Sequence, residues 1–205
     1  GKGLTCDIIG LRILSIMKEC LKIIEHKYGG EITKSAMNPP KDDEQTFRLF
    51  QEAHTFGVFT FESDEMCRYL KRLQPSTFEE LVALNAMYRP GPMDLIDGYI
   101  KRKRGLEAIT YDHPIMEKYL KETYGVIIYQ EQLMLLSQEI ANFTPEESDL
   151  LARAVCCQRL TQQETALKEQ FIRGGIEIGY ADECLEKIWR DWMRCGNYLF
   201  NKSHA

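Results

Sequence analysis

The residues best suited to bind an anionic ligand begin with an arginine in a loop rich in proline and glycine. Residues 88–93 read YRPGPM, so Arg89 is followed by two prolines and a glycine that exclude a regular helix. A rigidly presented guanidinium is suited to planar recognition of phosphate. A loop arginine can equally be a surface charge or a partner for a helix end, and the pattern leaves both interpretations open.

The end of the chain interleaves aromatic, cationic and imidazole groups. Residues 198–205 read YLFNKSHA and carry Tyr198, Lys202 and His204. Such groups together can stack on a base and hold a phosphate, although an aromatic core edge with a solvated lysine has the same pattern. Residues 129–132 read YQEQ and place Glu131 in a predicted first helical turn, where its carboxylate complements the helix dipole.

A run of four cations, Lys101, Arg102, Lys103 and Arg104, is a candidate contact for nucleic acid or phosphate. The whole chain has a net charge of -5, and sequence-independent binding to DNA depends on positive charge. Any nucleic-acid surface must therefore be local. A run of this kind is also typical of a solvated helix face.

The cysteines and the apolar runs bear on location. The seven cysteines include no C-x-x-C pair, which favours buried or incidental reduced thiols over a zinc site. Reduced thiols indicate a cytoplasmic protein. No apolar run approaches the roughly 18 residues of a membrane span, so we expect no membrane partner.

The elements that must position these side chains are predicted to be mainly helices. Three capping-box patterns mark helix starts: Thr77 with Glu80, Thr144 with Glu147, and Thr161 with Glu164. Apolar residues recur every three or four positions from residue 10 to residue 28, as on one helix face. Runs rich in Val, Ile and aromatic residues at 57–61 and 125–129 predict strands. We expect a mainly α fold, an irregular multi-helix domain with a few short β-strands.

Four segments in this order and spacing resemble the fingers of the C-family bacterial replicative DNA polymerases, the DNA polymerase III α subunits. They are GVFTFES at residues 57–63, ALNAMYRPGPM at 83–93, TYGVIIYQEQLM at 123–134 and FNKSHA at 200–205. The resemblance covers nearly all of the chain. It implies a palm-edge strand and connecting helix at residues 1–28, a linker at 29–41 and part of the fingers domain at 42–205.

The resemblance also implies an activity, ligands and site residues. The family adds deoxynucleotides (dNTPs) to a primer 3′-hydroxyl on template DNA, with Mg²⁺ as cofactor and the rest of the polymerase and replisome as partners. Asp7 takes the position of a catalytic, metal-binding palm carboxylate, although a lone aspartate there can also be a helix cap. Nucleotide-binding positions fall on Arg153, Tyr198, Lys202 and His204.

The chain departs from the family pattern where the triphosphate is expected. The family motif L-R-R-A-M-G-K-K corresponds to residues 151–158, which read LARAVCCQ, so Arg153 is the one motif cation that remains. Thr5 replaces a lysine before Asp7, and the family's Asp-x-Asp carboxylates do not occur in this sequence. Since one carboxylate cannot hold two Mg²⁺ ions, we expect the isolated chain to be inactive.

Two hypotheses remain open at this point. The chain is the fingers region of a DNA-directed DNA polymerase, or it is a degenerate, non-catalytic helical module that keeps this fold to bind nucleic acid or a partner. Asp7, Arg89, Arg153 and His204 favour the first, whereas Thr5 and residues 152 and 156–158 favour the second.

Overall fold

The computed structural model describes residues 10–157 and 161–205, apart from the side chains of residues 157 and 161–163. The described part is mainly helical, as expected. Its α-helices are α1 (Arg12–Tyr28), α2 (Gly30–Met37), α3 (Glu44–Gln51), α4 (Asp64–Leu73), α5 (Phe78–Met87), α6 (Asp94–Lys103), α7 (Glu117–Leu120), α8 (Gln130–Ala141), α9 (Pro145–Cys157), α10 (Thr161–Ile178) and α11 (Asp182–Cys195). Short 3₁₀ turns at Gly196–Tyr198 and Lys202–His204 follow α11.

The buried side chains form two hydrophobic clusters. The first core joins α3 to α6 with the extended residues 126–129, and its members include Leu70, Leu84 and Tyr99. The second core joins α7 to α11, and Phe171 and Trp192 are among its fully buried side chains. Buried aromatic and aliphatic groups of this size supply most of the driving force for such packing. The candidate site residues that the structure describes therefore lie on elements that are packed into one or the other of these two cores.

Two of the three predicted capping boxes are confirmed by hydrogen bonds. The Glu80 backbone N–H donates to Thr77 Oγ1 at 3.3 Å, and the Thr77 N–H donates to Glu80 Oε2 at 3.3 Å. At the start of α9 the Thr144 N–H donates to a Glu147 carboxylate oxygen at 2.8 Å, and Glu147 N–H donates back to Thr144 Oγ1. The third box depends on the Thr161 side chain, which lies outside the described residues.

The first two helices stand apart from both cores. The predicted helix at residues 10–28 is observed as α1, and α2 occupies part of the stretch predicted as a linker. Neither helix has a buried residue, and side chains such as Met17, Ile23 and Met37 are more than half exposed. Among the described helices, none combines the length and the apolar character that crossing a bilayer requires.

The predicted short strands are not confirmed in the described part of the chain. Residues 57–61 form turns, because Gly57 and Thr60 adopt positive φ angles of 79° and 67°. Residues 126–129 are extended, but their ladder is limited to one isolated parallel bridge between Tyr129 and Phe200. Val, Ile and aromatic residues suit buried extended backbone without requiring a sheet.

Candidate nucleotide site

The last ten residues connect the two cores. Leu199 is buried in the second core, whereas Phe200 packs against the first. The Phe200 N–H donates to the Ile128 carbonyl at 2.9 Å, and the Gln130 N–H donates to the Phe200 carbonyl at 2.9 Å. We call residues 196–205 the C-terminal segment. Its backbone is fixed at the point where the first core meets the start of α8.

The buried side chain of Gln132 fixes the backbone of residues 128–129, to which the C-terminal segment is hydrogen-bonded. Gln132 Oε1 accepts from the N–H groups of Ile128 and Tyr129 at 2.8 and 3.0 Å. Its Nε2 donates to Thr123 Oγ1 at 2.8 Å. These bonds hold residues 128–129 extended with Gln132 only 7% exposed. The YQEQ pattern draws attention to Glu131 and gives no signal for the positioning role of Gln132.

Arg89 ties the proline-glycine loop to the C-terminal segment. Its Nη2 donates to the Tyr198 carbonyl at 2.5 Å, its Nε donates to the Ala86 carbonyl at 3.1 Å, and its guanidinium lies 4.4 Å from the Phe200 ring centroid. Burial lowers the pKa of the Arg89 side chain, an effect that nearby Cys156 opposes. The guanidinium is half-buried and holds its own chain in place.

The Tyr198 ring lies against Gly91 in the same loop. Gly91 has a φ of 104°, and a Cβ atom there would come within 2.6 Å of the Tyr198 ring. Glycine is therefore required both by the backbone angle and by the closeness of the ring. The partly exposed Tyr198 is positioned by this loop, and the contact between Arg89 and Tyr198 has no counterpart in the sequence analysis.

Lys202 is surrounded by carboxylates on α8 and on the turn before it. Its backbone N–H donates to the Glu131 carboxylate at 3.1 and 3.2 Å, so Glu131 holds this turn in addition to facing the helix dipole. The Nζ atom of Lys202 lies 2.5 Å from Glu122 Oε1 and 5.4 Å from the Tyr129 ring centroid. Glu122 was not a sequence candidate, since it is 80 residues away from Lys202 in the chain.

His204 is exposed at the open side of the C-terminal segment. Its ring centroid lies 5.6 Å from that of Phe200, at a tilt of 49°. The chain end beyond it is fixed, because Asn85 Nδ2 donates to the Ala205 carbonyl at 2.8 Å. Tyr198, Lys202 and His204 thus lie on the C-terminal segment, and Arg89 reaches it from the proline-glycine loop through the Tyr198 carbonyl.

Arg153 lies on α9, the helix that packs against the start of the C-terminal segment. Contact is close at Val155, because a Cβ on Gly196 would come within 2.5 Å of it. The Arg153 side chain is 74% exposed and pairs with Asp149 one turn earlier, at 2.8 Å. Ala152 is only 3% exposed within the second core, so the expectation that position 152 faces a triphosphate is not supported. Cys157 and Gln158 fall outside the side chains that the structure describes.

The basic run does not form one cationic patch. Lys103 Nζ lies 2.6 Å from Glu80 Oε2 with its side chain only 14% exposed, and Arg102 Nε lies 2.8 Å from the Glu107 carboxylate. Lys101 and Arg104 are exposed at the end of α6. Arg102 and Lys103 therefore form ion pairs within the chain, whereas Lys101 and Arg104 face solvent.

The described residues do not fit a pair of magnesium ions. Asp7, the predicted catalytic and metal-binding carboxylate, lies outside them, as do Thr5 and Cys6. Within the described ranges, His, Cys, Asp and Glu side chains form no group of three or more that could hold a metal. Mg²⁺ binds through carboxylates and substrate phosphates in near-octahedral geometry, so we derive no metal-dependent step from these residues.

Comparisons with known proteins point in one direction. Residues 13–179 match the family model described as the bacterial DNA polymerase III alpha subunit finger domain. The chain is 42% identical to a DNA polymerase III subunit alpha of Aquifex aeolicus over 204 residues, covering 98% of this chain and 17% of that protein. It is 43% identical to the Halalkalibacterium halodurans protein of the same name, covering 97% of this chain and 18% of the relative. The chain therefore spans less than a fifth of these relatives.

Proposed function

The chain belongs to the bacterial DNA polymerase III alpha subunit finger-domain family, and on that premise we propose that it is the nucleotide-facing fingers region of a DNA-directed DNA polymerase. In the parent enzyme this region would contribute to template-directed transfer of a deoxynucleotide to a primer 3′-hydroxyl. The observation that carries the proposal is the hydrogen bond from Arg89 to the Tyr198 carbonyl on the C-terminal segment, which also carries Lys202 and His204.

The proposed roles follow from the chemistry of each group. The Tyr198 ring would face the base, and the His204 imidazole would face the sugar. Lys202 and Arg153 would supply cations to the triphosphate. Arg89 would act as a positioning residue, since its donors are used within the chain to hold the Tyr198 carbonyl and the loop.

The ion pairs of the two phosphate-side cations do not prevent such a role. Arg153 and Asp149 are 74% and 46% exposed, and the side chains of Lys202 and Glu122 are 40% and 41% exposed. Exposed pairs are worth roughly 0 to 1 kcal/mol, whereas a hydrogen bond to a charged phosphate is worth about 1.5 to 3 kcal/mol. A triphosphate can therefore replace Asp149 or Glu122 as the partner.

The remaining partners are proposed from the same premise. Lys101 and Arg104, the exposed members of the basic run, would contact the phosphate backbone of primer-template DNA. The rest of the polymerase chain would supply the carboxylates that join Asp7 around Mg²⁺, so the isolated chain would not extend a primer. We place the parent protein in the cytoplasm together with the other replisome subunits.

A second candidate function is a degenerate, non-catalytic module that keeps this fold to bind nucleic acid or a partner and does not bind nucleotide. It is favoured by the loss of motif cations at residues 152, 157 and 158 and by the pairing of Lys202 with Glu122. Under this proposal the C-terminal segment would serve only to join the two cores.

Calorimetry of a deoxynucleoside triphosphate with the 205-residue chain distinguishes the two candidates. Lys202→Ala should weaken binding by about tenfold, the effect of losing one charged contact of about 1.5 kcal/mol. Lys121→Ala is the matched control, since Lys121 is 79% exposed and only weakly paired with Glu117 at 3.9 Å. The Lys202 effect should shrink as salt rises.

The outcomes are separable. Weaker binding by the Lys202 variant with an unchanged control supports a nucleotide site at the C-terminal segment. Equal affinities of both variants and the original chain contradict it. A folded chain that shows no heat of binding at millimolar triphosphate favours the second candidate.

A further inference from the structure

A glycine inside α6 has no explanation within the chain. Gly98, Gly174 and Gly175 are the glycines in the interiors of the described α-helices. At Gly174 a Cβ would collide with the Ala141 backbone, and at Gly175 with the Leu185 side chain. At Gly98 a Cβ would meet no atom within 4 Å, and its φ is not in the left-handed region. Because glycine is less favourable than alanine in a helix, the space beside Gly98 needs another reason.

Gly98 lies in the wall of a groove between the two cores. The groove has a volume of about 540 Å³, within the range of roughly 300 to 1,000 Å³ that ligand pockets occupy. Leu95 and Gly98 of α6 form one wall, Ile188 and Trp192 of α11 form the other, and Ile127 contributes to the lining between them. A side chain at position 98 would extend into this open space, so glycine keeps the groove wide.

The walls offer aromatic and apolar surface. Tyr111 and Trp192 both line the groove, and the Trp192 indole is 1% exposed. Its Nε1 is buried and has no hydrogen-bond partner among the residues the structure describes. A small shift of the ring would let this N–H donate to an acceptor on an occupant. Aromatic walls with one available donor suit a flat, weakly polar molecule.

The charges around the groove argue against an anionic occupant. Lys187 is paired with Asp112 and, at 3.2 Å, with Asp191, all three of which line the groove. Arg102 is paired with Glu107 at 2.8 Å. Asp94 adds a third lining aspartate against two lining cations. A phosphate would have to break these pairs and face an excess of negative charge.

We propose that the groove between α6 and α11 is a binding site for a compact, planar, uncharged aromatic molecule carrying a hydrogen-bond acceptor. The site is separate from the candidate nucleotide site, since Arg89, Arg153, Tyr198, Lys202 and His204 do not line it. One wall belongs to the first core and the other to the second. An occupant therefore contacts both cores and stabilises their packing against each other.

The test uses the 205-residue chain and the neutral, planar fluorescent probe 6-propionyl-2-(dimethylamino)naphthalene, whose ketone oxygen is a hydrogen-bond acceptor. We expect saturable binding at one site, with quenching of tryptophan emission and a raised melting temperature. Gly98→Leu should fill the groove and weaken binding by about tenfold or more. Gly98→Ala is the matched control, since it makes a similar gain in helix propensity but fills little space, and its affinity should change by less than about threefold.

A second lining variant and an anionic probe test whether the neutral probe binds in the groove. Tyr111→Ala removes an aromatic side chain that lines the groove and should also weaken binding. Thermal melting verifies that each variant is folded. The anionic naphthalene probe 1-anilinonaphthalene-8-sulfonate should bind less tightly than the neutral probe. Unsaturable binding, or equal probe affinity in the folded Leu, Ala and original chains, would overturn the proposal.

Discussion

Substituting Glu80 by alanine should destabilise the chain strongly, because its carboxylate joins three parts of the first core. Oε2 accepts from the Ser76 N–H at 2.7 Å and lies 2.6 Å from Lys103 Nζ. Oε1 accepts from the Tyr124 hydroxyl at 2.5 Å. The carboxylate thus caps α5, anchors the end of α6 and fixes the turn before the extended residues 126–129.

The magnitude follows from burial. The side chains of Glu80 and Lys103 are 3% and 14% exposed. Removing one member of a buried pair typically costs about 3 to 5 kcal/mol, because the remaining charge is left without a partner. Loss of the capping interaction is worth about 1 kcal/mol and is contained within that effect. We therefore expect Glu80→Ala to lower the free energy of unfolding by about 3 to 5 kcal/mol.

Urea denaturation of the original chain and five variants measures this loss of stability. Glu79→Gln is the matched control, since it removes a neighbouring carboxylate on α5 and should change stability by less than about 0.5 kcal/mol. Glu80→Gln and Lys103→Met, singly and together, complete a double-mutant cycle. The double variant should be more stable than the sum of the single effects predicts, because neither member is then left charged and unpaired.

The same pair predicts a pH dependence. Burial alone would raise the pKa of Glu80, but hydrogen bonds from Lys103, Tyr124 and the Ser76 N–H outweigh it and hold the pKa below its usual value. A carboxyl with a lowered folded-state pKa stabilises the fold above its unfolded pKa of about 4.3, and this is lost as pH falls through the folded value. The original chain should therefore lose more stability than Glu80→Gln on acidification below about pH 4.3.

Two results would refute this reasoning. One is a loss of less than about 1 kcal/mol in Glu80→Ala, which is the range of an exposed ion pair. The other is strict additivity in the Glu80 and Lys103 cycle, which would mean that the two side chains do not interact.

Three other predictions concern the candidate site and the second core. Gly91→Ala should raise the exposure of Tyr198 and destabilise the chain by about 1 to 3 kcal/mol through strain and collision with the ring, detectable by melting and tyrosine fluorescence. Ala152→Arg should reduce stability instead of restoring nucleotide affinity, because position 152 is 3% exposed, and denaturation with calorimetry distinguishes the two effects. Cys20 is exposed, whereas burial raises the pKa of the Cys195 thiol to about 12, so mass spectrometry after iodoacetamide treatment should show Cys20 modified first and Cys195 only on unfolding.

Local chemistry made the helix starts predictable from the sequence. The boxes at Thr77 and Thr144 form because each hydrogen bond spans three residues, so the pattern contains both partners. The contact between Arg89 and the Tyr198 carbonyl spans 109 residues and has no local signal in the sequence. Lys202 contacts the carboxylates of Glu122 and Glu131, which lie 80 and 71 residues away in the chain. No local sequence pattern predicts these two contacts.

The errors have a common physical origin in tertiary packing. Residues 125–129 have the composition of a strand, but their backbone partner is Phe200, so they form one bridge in place of a ladder. The basic run is typical of a phosphate contact or a solvated helix face, but Lys103 turns inward to Glu80. Ala152 looked like a lost phosphate contact, but it faces the second core. In each case the sequence gives the residue type, and a distant partner decides its environment.

The most direct test of the account is to map nucleotide binding residue by residue. An isotope-labelled chain would be titrated with a deoxynucleoside triphosphate, and its backbone amide signals followed by NMR. We expect saturable chemical-shift changes concentrated in residues 196–205 and in the loop at 88–91. At the same nucleotide concentration these changes should be smaller in the Lys202→Ala variant. Shifts that leave these residues unchanged while moving signals elsewhere, or no shifts in a folded chain at millimolar nucleotide, would contradict a nucleotide site on the C-terminal segment.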